Sequence, residues 1–290
     1  MALRIGLSVL TARPSSWGEL RDAVVSVEDV GFDSVWVPDH IEKDLGGRTM
    51  SFYNSTVMLG AIAEATHHVV IGALVNNAAW HHPFRLVHGA AALAEISNDR
   101  FALSVGAGSG LGEYGLVDAP TDHAYSRFAE SVKIMRRLLD GEEVTDEGRF
   151  WRTTGARVTG IEQYRIPLVV GATGPRSIDL AFRYGDEWNT FDLSGTPVPS
   201  VLADRISAAD AAQTEHHRQV RRSVDLMVSP APMPGMEHVP TISGTPDDIV
   251  ESLTSFHDAG FDEIHCYGPP PSVVGEVLWR PIIDGVHDLT

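Results

Sequence analysis

Lysine is almost absent from this chain: only Lys43 and Lys133 occur in 290 residues, and acidic side chains outnumber Lys and Arg by 39 to 22. The formal net charge of −17 argues against a broad face for nucleic acid, anionic membrane or polyphosphate. Backbone amides can still build a local anion site. With one cysteine, Cys266, no intramolecular disulfide can form, which fits a reducing cytoplasm. The opening MALRIGLSVLTARPSSW has no long apolar stretch of the secretory kind, and no run approaches the roughly 18 apolar residues that span a bilayer. Neither a GxSxG elbow nor a GxxxxGK[ST] loop occurs, which removes the α/β-hydrolase and Walker readings.

What is present is a rhythm. Short apolar runs at 3–9, 34–39, 69–75, 100–106, 167–172, 187–193, 223–229 and 262–268 read as strands. Amphipathic stretches at 17–30, 56–66, 83–96, 123–139, 176–184, 198–219, 246–259 and 272–287 read as helices. Ser15 or Ser16 is a candidate N-cap, Gly31 a stop, and Pro83 a first-turn proline. Residues 142–166 break the rhythm and read as an inserted hairpin and loop after the fourth helix. Eight strand–helix units predict a (β/α)8 TIM barrel occupying 1–290 as one domain. A doubly wound open sheet is the alternative.

The most conspicuous motif is FALSVGAGSGLGEYG (101–115), whose last six residues match GxGxxG. A dinucleotide fingerprint needs a helix directly after the glycine turn. Here LVDAPTDH follows, with Pro120 in its middle, so the context fails. The glycines instead suit a ligand lying close to backbone at a strand end, or a plain flexible loop.

In a barrel of this kind chemistry gathers at the C-terminal strand ends. Strand 2 ends in Asp39-His40, a pair able to hydrogen-bond and move protons, or simply a helix cap beside a solvated histidine. Strand 3 runs into Asn76 and Asn77, suited to a heterocycle edge, and Trp80, suited to walling a pocket. The neighbouring histidines 67–68, 81–82 and 216–217 lack the spacing and the carboxylate companions of a metal site, so no metal is expected. Strand 5 ends in Gly171-Ala172-Thr173-Gly174-Pro175-Arg176, a turn, helix start and cation that together suit a phosphate; a plain turn is the alternative. Cys266, within an apolar strand, reads as packed core.

Five runs in order, GFDSVWVPDH (31–40), VVIGALVNNAAWHHP (69–83), NDRFALSVGAGSGLGE (98–113), PLVVGATGPRSIDLAFRYGDEWN (167–189) and ISGTPDDIVESLTSFHDAGFDEI (242–264), resemble the bacterial luciferase-like monooxygenase superfamily. The Asp-His pair looks more like its branch dependent on coenzyme F-420, an 8-hydroxy-5-deazaflavin. The resemblance implies a barrel holding the deazaflavin across its strand ends, and commonly a homodimer. It implies that Asp39 contacts the ring and His40 lies near the reacting carbon. It implies a non-prolyl cis peptide at Leu74–Val75 beneath the ring, Gly106, Ala107, Gly108 and Ser109 beside it, and Gly171 to Arg176 on the phosphate side.

Two departures stand out. The branch's sugar-phosphate dehydrogenases carry a glutamate where this chain has Ser109, with Glu113 four residues later, and a tryptophan soon after the Asp-His pair, where this chain has Ile41-Glu42-Lys43-Asp44. The expected activity is hydride transfer between F-420 and a small organic substrate, with His40 as proton donor or polariser and Asp39 orienting the ring or the histidine. Trp80, Glu113 and Tyr114 are expected to line the substrate pocket. The alternatives are an FMN-dependent monooxygenase fed by a partner reductase, and a cofactor-free binding barrel. Aromatic residues in the loops 41–55, 109–122 and 142–166, with Met233 in 230–243, suit a partly apolar substrate or a dimer contact.

Overall fold

In the computed structural model, which describes residues 2–45, 48–108, 111–191, 198–233 and 239–289, eight parallel strands close on themselves. They are β1 (Arg4–Ser8), β2 (Ser34–Val37), β3 (Val70–Ala73), β4 (Phe101–Gly106), β5 (Leu168–Gly171), β6 (Glu187–Phe191), β7 (Arg221–Met227) and β8 (Glu263–Tyr267). β8 returns to β1 with Arg4 opposite Glu263 and Ser8 opposite Tyr267, so no edge is left and the open-sheet alternative is excluded. Between and after the strands run α1 (Trp17–Val30), α2 (Ser55–Ala65), α3 (Pro83–Ser97), α4 (Ala124–Leu139), α5 (Pro175–Tyr184), α6 (Ala203–His216) and α7 (Pro246–Asp258). The fold is a (β/α)8 barrel.

Local chemistry sets the boundaries. Ser16 caps α1 in a reciprocal box with Glu19, and Gly31 ends it at φ 101°. His82 caps α3 by accepting from the Phe84 amide, with Pro83 next in the first turn. The segment 142–166 contains the hairpin Val144–Glu147 with Arg152–Ala156, as its pattern suggests. The final helical stretch is two helices, α8 (Pro271–Val274) and α9 (Glu276–His287), because Gly275 adopts φ 93° between them. A second hairpin, Glu42–Leu45 with Arg48–Ser51, follows β2; its polar sequence gives no apolar alternation to reveal it.

Side chains alternate along each strand. Ile5, Leu7, Val35, Val37, Val224, Leu226, Ile264 and Cys266 belong to the large buried cluster that joins strands to helices. Trp36, Leu74, Ala102 and Val169 form a separate small apolar cluster inside the barrel. Trp36 lies over Gly72, where a Cβ would run into the indole and stand 2.9 Å from the Ala102 carbonyl oxygen. Gly72→Ala is therefore expected to cost about 1–3 kcal/mol through overpacking, read as a Tm fall of several degrees.

The other half of the interior is ionic. Glu263 receives Ser34 Oγ at 2.6 Å and Arg221 Nη2 at 2.6 Å, with Arg4 Nη1 at 3.3 Å. Arg221 also reaches Glu187 at 3.1 Å. His265, fully buried, places Nδ1 2.9 Å from Asp225 Oδ1 and Nε2 3.3 Å from Glu263 Oε1, the latter too oblique for a full hydrogen bond. Asn189 Nδ2 completes the set on Asp225 at 2.8 Å.

Candidate functional site

The C-terminal rim brings the ends of β2, β3, β4 and β5 together. The Leu74–Val75 peptide is cis. Val75 then stands between two strand ends that lack side chains: a Cβ at Gly106 would lie 2.5 Å from Val75 Cγ2, and one at Gly171 would lie 3.4 Å from it. Gly108 is at φ 90°, and the space beside its α-carbon is taken by the Asn77 amide and the Tyr114 hydroxyl. At that glycine the close neighbours are the protein's own side chains. Ala107 packs against the main core, and Ser109 lies outside the described residues.

Asp39 is held from three sides. Ser55 Oγ donates to Oδ1 at 2.7 Å, while Oδ2 accepts the Asn77 amide at 3.0 Å and faces His81 Nε2 at 2.9 Å. Burial works to raise this carboxyl, but the hydrogen bond and charge of His81, with Asn77 and Ser55, outweigh it and hold Asp39 below the usual carboxylate range. Asp39 thus orients His81. His40 has a different acid.

That acid is Glu113. Its Oε1 lies 2.7 Å from His40 Nδ1, and its Oε2 accepts the Ile41 amide at 2.6 Å. Glu113 sits in a 3-10 turn, Leu111–Leu116, and is 4% exposed. This turn packs against the strand Glu42–Leu45 and delivers the carboxylate to the histidine. The opposite ring nitrogen of His40, Nε2, meets Lys43 Nζ at 3.2 Å. Phe52 lies beside the ring at a centroid distance of 5.5 Å.

Around this centre Trp80 meets Tyr114 edge to face at 5.5 Å, and Tyr114 is buried. Asn76 is turned inward and donates to the Ser104 carbonyl at 2.9 Å, and Asn77 accepts from the Ala79 amide at 2.9 Å, so both side chains bind the protein itself. On the β5 side, Ala172 is buried and accepts the Trp188 indole N–H at 3.0 Å, while Thr173 and Arg176 are exposed. Gly174 precedes Pro175 at the start of α5, and its amide donates to Ser177 Oγ at 3.2 Å. Arg176 has no carboxylate partner among the described residues; its guanidinium lies 4.1 Å above the Tyr125 ring. After β7, residues including Ser229, Pro230, Met233, Thr241 and Ser243 line a cavity of about 640 Å³.

His81, Ser55 and Lys43 carry contacts that spacing did not reveal. His81 was visible only as half of a histidine pair, and its link to Asp39 crosses 42 positions. Among the described residues, Asp179, Glu215 and His216 form one cluster of possible cation ligands, and Glu187, Glu263 and His265 another. The buried acids of the second already face Arg221.

The family model described as luciferase-like monooxygenase matches residues 2–234. An F420-dependent glucose-6-phosphate dehydrogenase of Nakamurella multipartita is 33% identical over 196 residues, covering 66% of this chain and 56% of that enzyme. The chain thus spans little more than half of that relative. A 5,10-methylenetetrahydromethanopterin reductase of Archaeoglobus fulgidus is 25% identical across 87% of this chain and 90% of its own length. Among solved structures, an F420-dependent secondary alcohol dehydrogenase in complex with an F420-acetone adduct superposes with TM-score 0.83 over 99% of both chains at 19% identity, a likeness of fold.

Proposed function

Because the chain belongs to the luciferase-like monooxygenase family, we propose that it is an oxidoreductase that transfers hydride between coenzyme F-420 and a small organic substrate. The observation that carries this reading is the His40–Glu113 pair at the rim, 2.7 Å apart, in a chain whose relatives include enzymes named as F420-dependent dehydrogenases. The residues present suit a deazaflavin. Val75, flanked by the side-chain-free ends of β4 and β5, offers an apolar bed for a planar ring. Arg176, free of carboxylates among the described residues, is placed for a phosphate at the start of α5.

When bound, the deazaflavin supplies a carbon that carries hydride and reacts poorly with oxygen. The chain supplies orientation and a proton. Glu113 accepts from Nδ1 of His40 and so fixes the ring and its tautomer. Asp39, Ser55 and His81 lock the end of β2 to that of β3. Trp80 and Tyr114, in edge-to-face contact, stand beside the Gly108 turn and suit a substrate wall.

Titration of the purified protein with F-420 and, separately, with FMN tests the reading. Saturable perturbation of the F-420 visible spectrum is expected, with FMN unaffected. FMN binding with oxygen-dependent turnover would replace this assignment by a flavin monooxygenase. Binding of neither coenzyme would leave a cofactor-free barrel.

A further inference from the structure

The inserted hairpin between α4 and β5 takes no part in the site described above, yet its tip reaches the rim. The Glu130 carboxylate on α4 accepts the Phe150 amide at 3.0 Å and the Trp151 amide at 2.7 Å. The Trp151 indole N–H donates to the Arg127 carbonyl at 3.2 Å. The tip therefore lies against the first two turns of α4. α3, α4 and α5 each follow a barrel strand, so their starts stand on the C-terminal side, with the coenzyme bed.

Cations gather along that line. Arg176, at the start of α5, stacks on Tyr125, whose hydroxyl donates to the Arg176 carbonyl at 3.1 Å. Arg127 and Arg149 both face the Phe150 ring, at 4.5 and 5.1 Å from its centroid, and Arg149 Nη2 reaches His123 Nε2 at 3.0 Å. Trp151 meets His82 edge to face at 5.4 Å. His82 Nδ1 accepts the Phe84 amide, so Nε2 donates to the Arg152 carbonyl, 3.2 Å away. Arg152 and Arg157 line a cavity of about 380 Å³ together with His82 and Phe84.

Arg149, Arg152, Arg157 and Arg176 are exposed, and among the described residues none of them forms an ion pair. The acids along this line are Asp122, paired with Arg127 at 3.2 Å, Glu130, held by two amides, and Glu147, opposite Arg152 in the hairpin. The arginines outnumber them in a chain whose net charge is −17. Stacking on an aromatic ring orders a guanidinium and leaves its in-plane N–H groups for an anion.

We propose that this strip binds an extended chain of carboxylates, and that the chain is the glutamate tail of F-420. The tail assignment rests on the coenzyme reading above. F-420 continues past its phosphate into a chain of glutamates, and FMN ends at its phosphate. From a phosphate at Arg176, the tail passes Tyr125 and His123 and meets Arg149 and then Arg152. Its carboxylates pair there with guanidiniums that have no acid of their own. The hairpin is thus an element that favours F-420 over FMN.

Fluorescence titration compares F-420 carrying five glutamates with the same coenzyme carrying none, the phosphate being kept in both. The five-glutamate form should bind about tenfold more tightly at about 50 mM salt, and the advantage should shrink to about twofold at about 0.5 M, because exposed ion pairs are screened. Arg149→Gln combined with Arg152→Gln should abolish the advantage and leave the Kd of the tail-less form within about twofold. Arg21→Gln combined with Arg280→Gln, which removes the same charge from α1 and α9, should preserve it. Equal affinity of the two forms for the wild type overturns the proposal. So does an advantage that survives the first pair of substitutions, or one that the second pair removes as fully. Penta-γ-glutamate without coenzyme tests the strip in the unaltered protein. In nitrogen-15 spectra it should move the side-chain Nε–H resonances of Arg149 and Arg152 saturably and leave those of Arg21 and Arg280 in place. Unmoved Arg149 and Arg152 resonances overturn the carboxylate site. Wild type that binds neither form of F-420 sinks the coenzyme reading and the tail assignment with it, and the penta-γ-glutamate spectra then decide the carboxylate site alone.

Discussion

His40→Ala is expected to slow substrate conversion by about 10²–10⁴-fold, the range that a positioned proton-transfer group supplies, while F-420 affinity changes by less than about threefold. The imidazole faces the buried Glu113 carboxylate with one nitrogen and Lys43 with the other, so its loss removes the titratable ring from the rim. The side chain nearest Gly106 and Gly171 is Val75 and not His40, so coenzyme affinity is expected to survive. Glu113→Gln should give a smaller loss, since an amide carbonyl can still accept from Nδ1 but without charge. Stopped-flow absorbance of the coenzyme measures the rate and fluorescence titration the affinity. Unchanged turnover in His40→Ala would remove the histidine from the mechanism.

The barrel was legible because its strands are buried on both faces and several, such as VVIGALV, read as continuous apolar runs, followed by a helix with a readable cap. The Asp39–His40 pair was legible for the same reason: strand 2 ends cleanly before it. Partners were not. Glu113 reaches His40 from 73 positions away, through a short 3-10 turn that no hydrophobic period announces. Asp39 was read as orienting the ring or His40, yet its oxygens serve His81, Asn77 and Ser55, a choice set by how β2 and β3 lie side by side. Asn76, read as a heterocycle contact, donates one amide hydrogen to the Ser104 carbonyl, a partner that spacing does not announce. The ionic interior did leave a trace that went unused. In DEIHCYG, Glu263, His265 and Tyr267 alternate with Ile264 and Cys266, and a parallel strand buried on both faces has no need of such alternation unless its inner face is polar.

That inner face carries the largest expected effect on stability. His265→Leu should lower Tm by roughly 10 °C, because removing one member of a buried ionic set costs about 3–5 kcal/mol and each kcal/mol moves a protein of this size a few degrees. The substitution leaves Asp225 and Glu263 facing apolar carbon where a cation stood. Burial works to depress the His265 imidazole, but the Asp225 hydrogen bond and the charges of Asp225 and Glu263 outweigh it and push the group up to about 10. A raised folded-state value means the contribution is complete below the ordinary imidazole range, near 6.5, and is lost as pH climbs from there to about 10. Glu263 runs the other way. Burial alone would raise it, but His265, Arg4 and Ser34 lower it to about 2, so its contribution is complete above the ordinary carboxylate range and lost as pH falls toward 2. Thermal melts across pH should therefore show the wild type losing Tm between about pH 7 and 10, with a flatter alkaline limb in His265→Leu. Glu187 supplies the internal control. Burial and the nearby Glu263 charge raise its carboxyl, so its ionised form is disfavoured in the fold and Glu187→Gln should cost far less than His265→Leu. Equal losses in the two variants, or a Tm in His265→Leu that tracks the wild type through alkaline pH, would show that the barrel interior is not held by a protonated histidine.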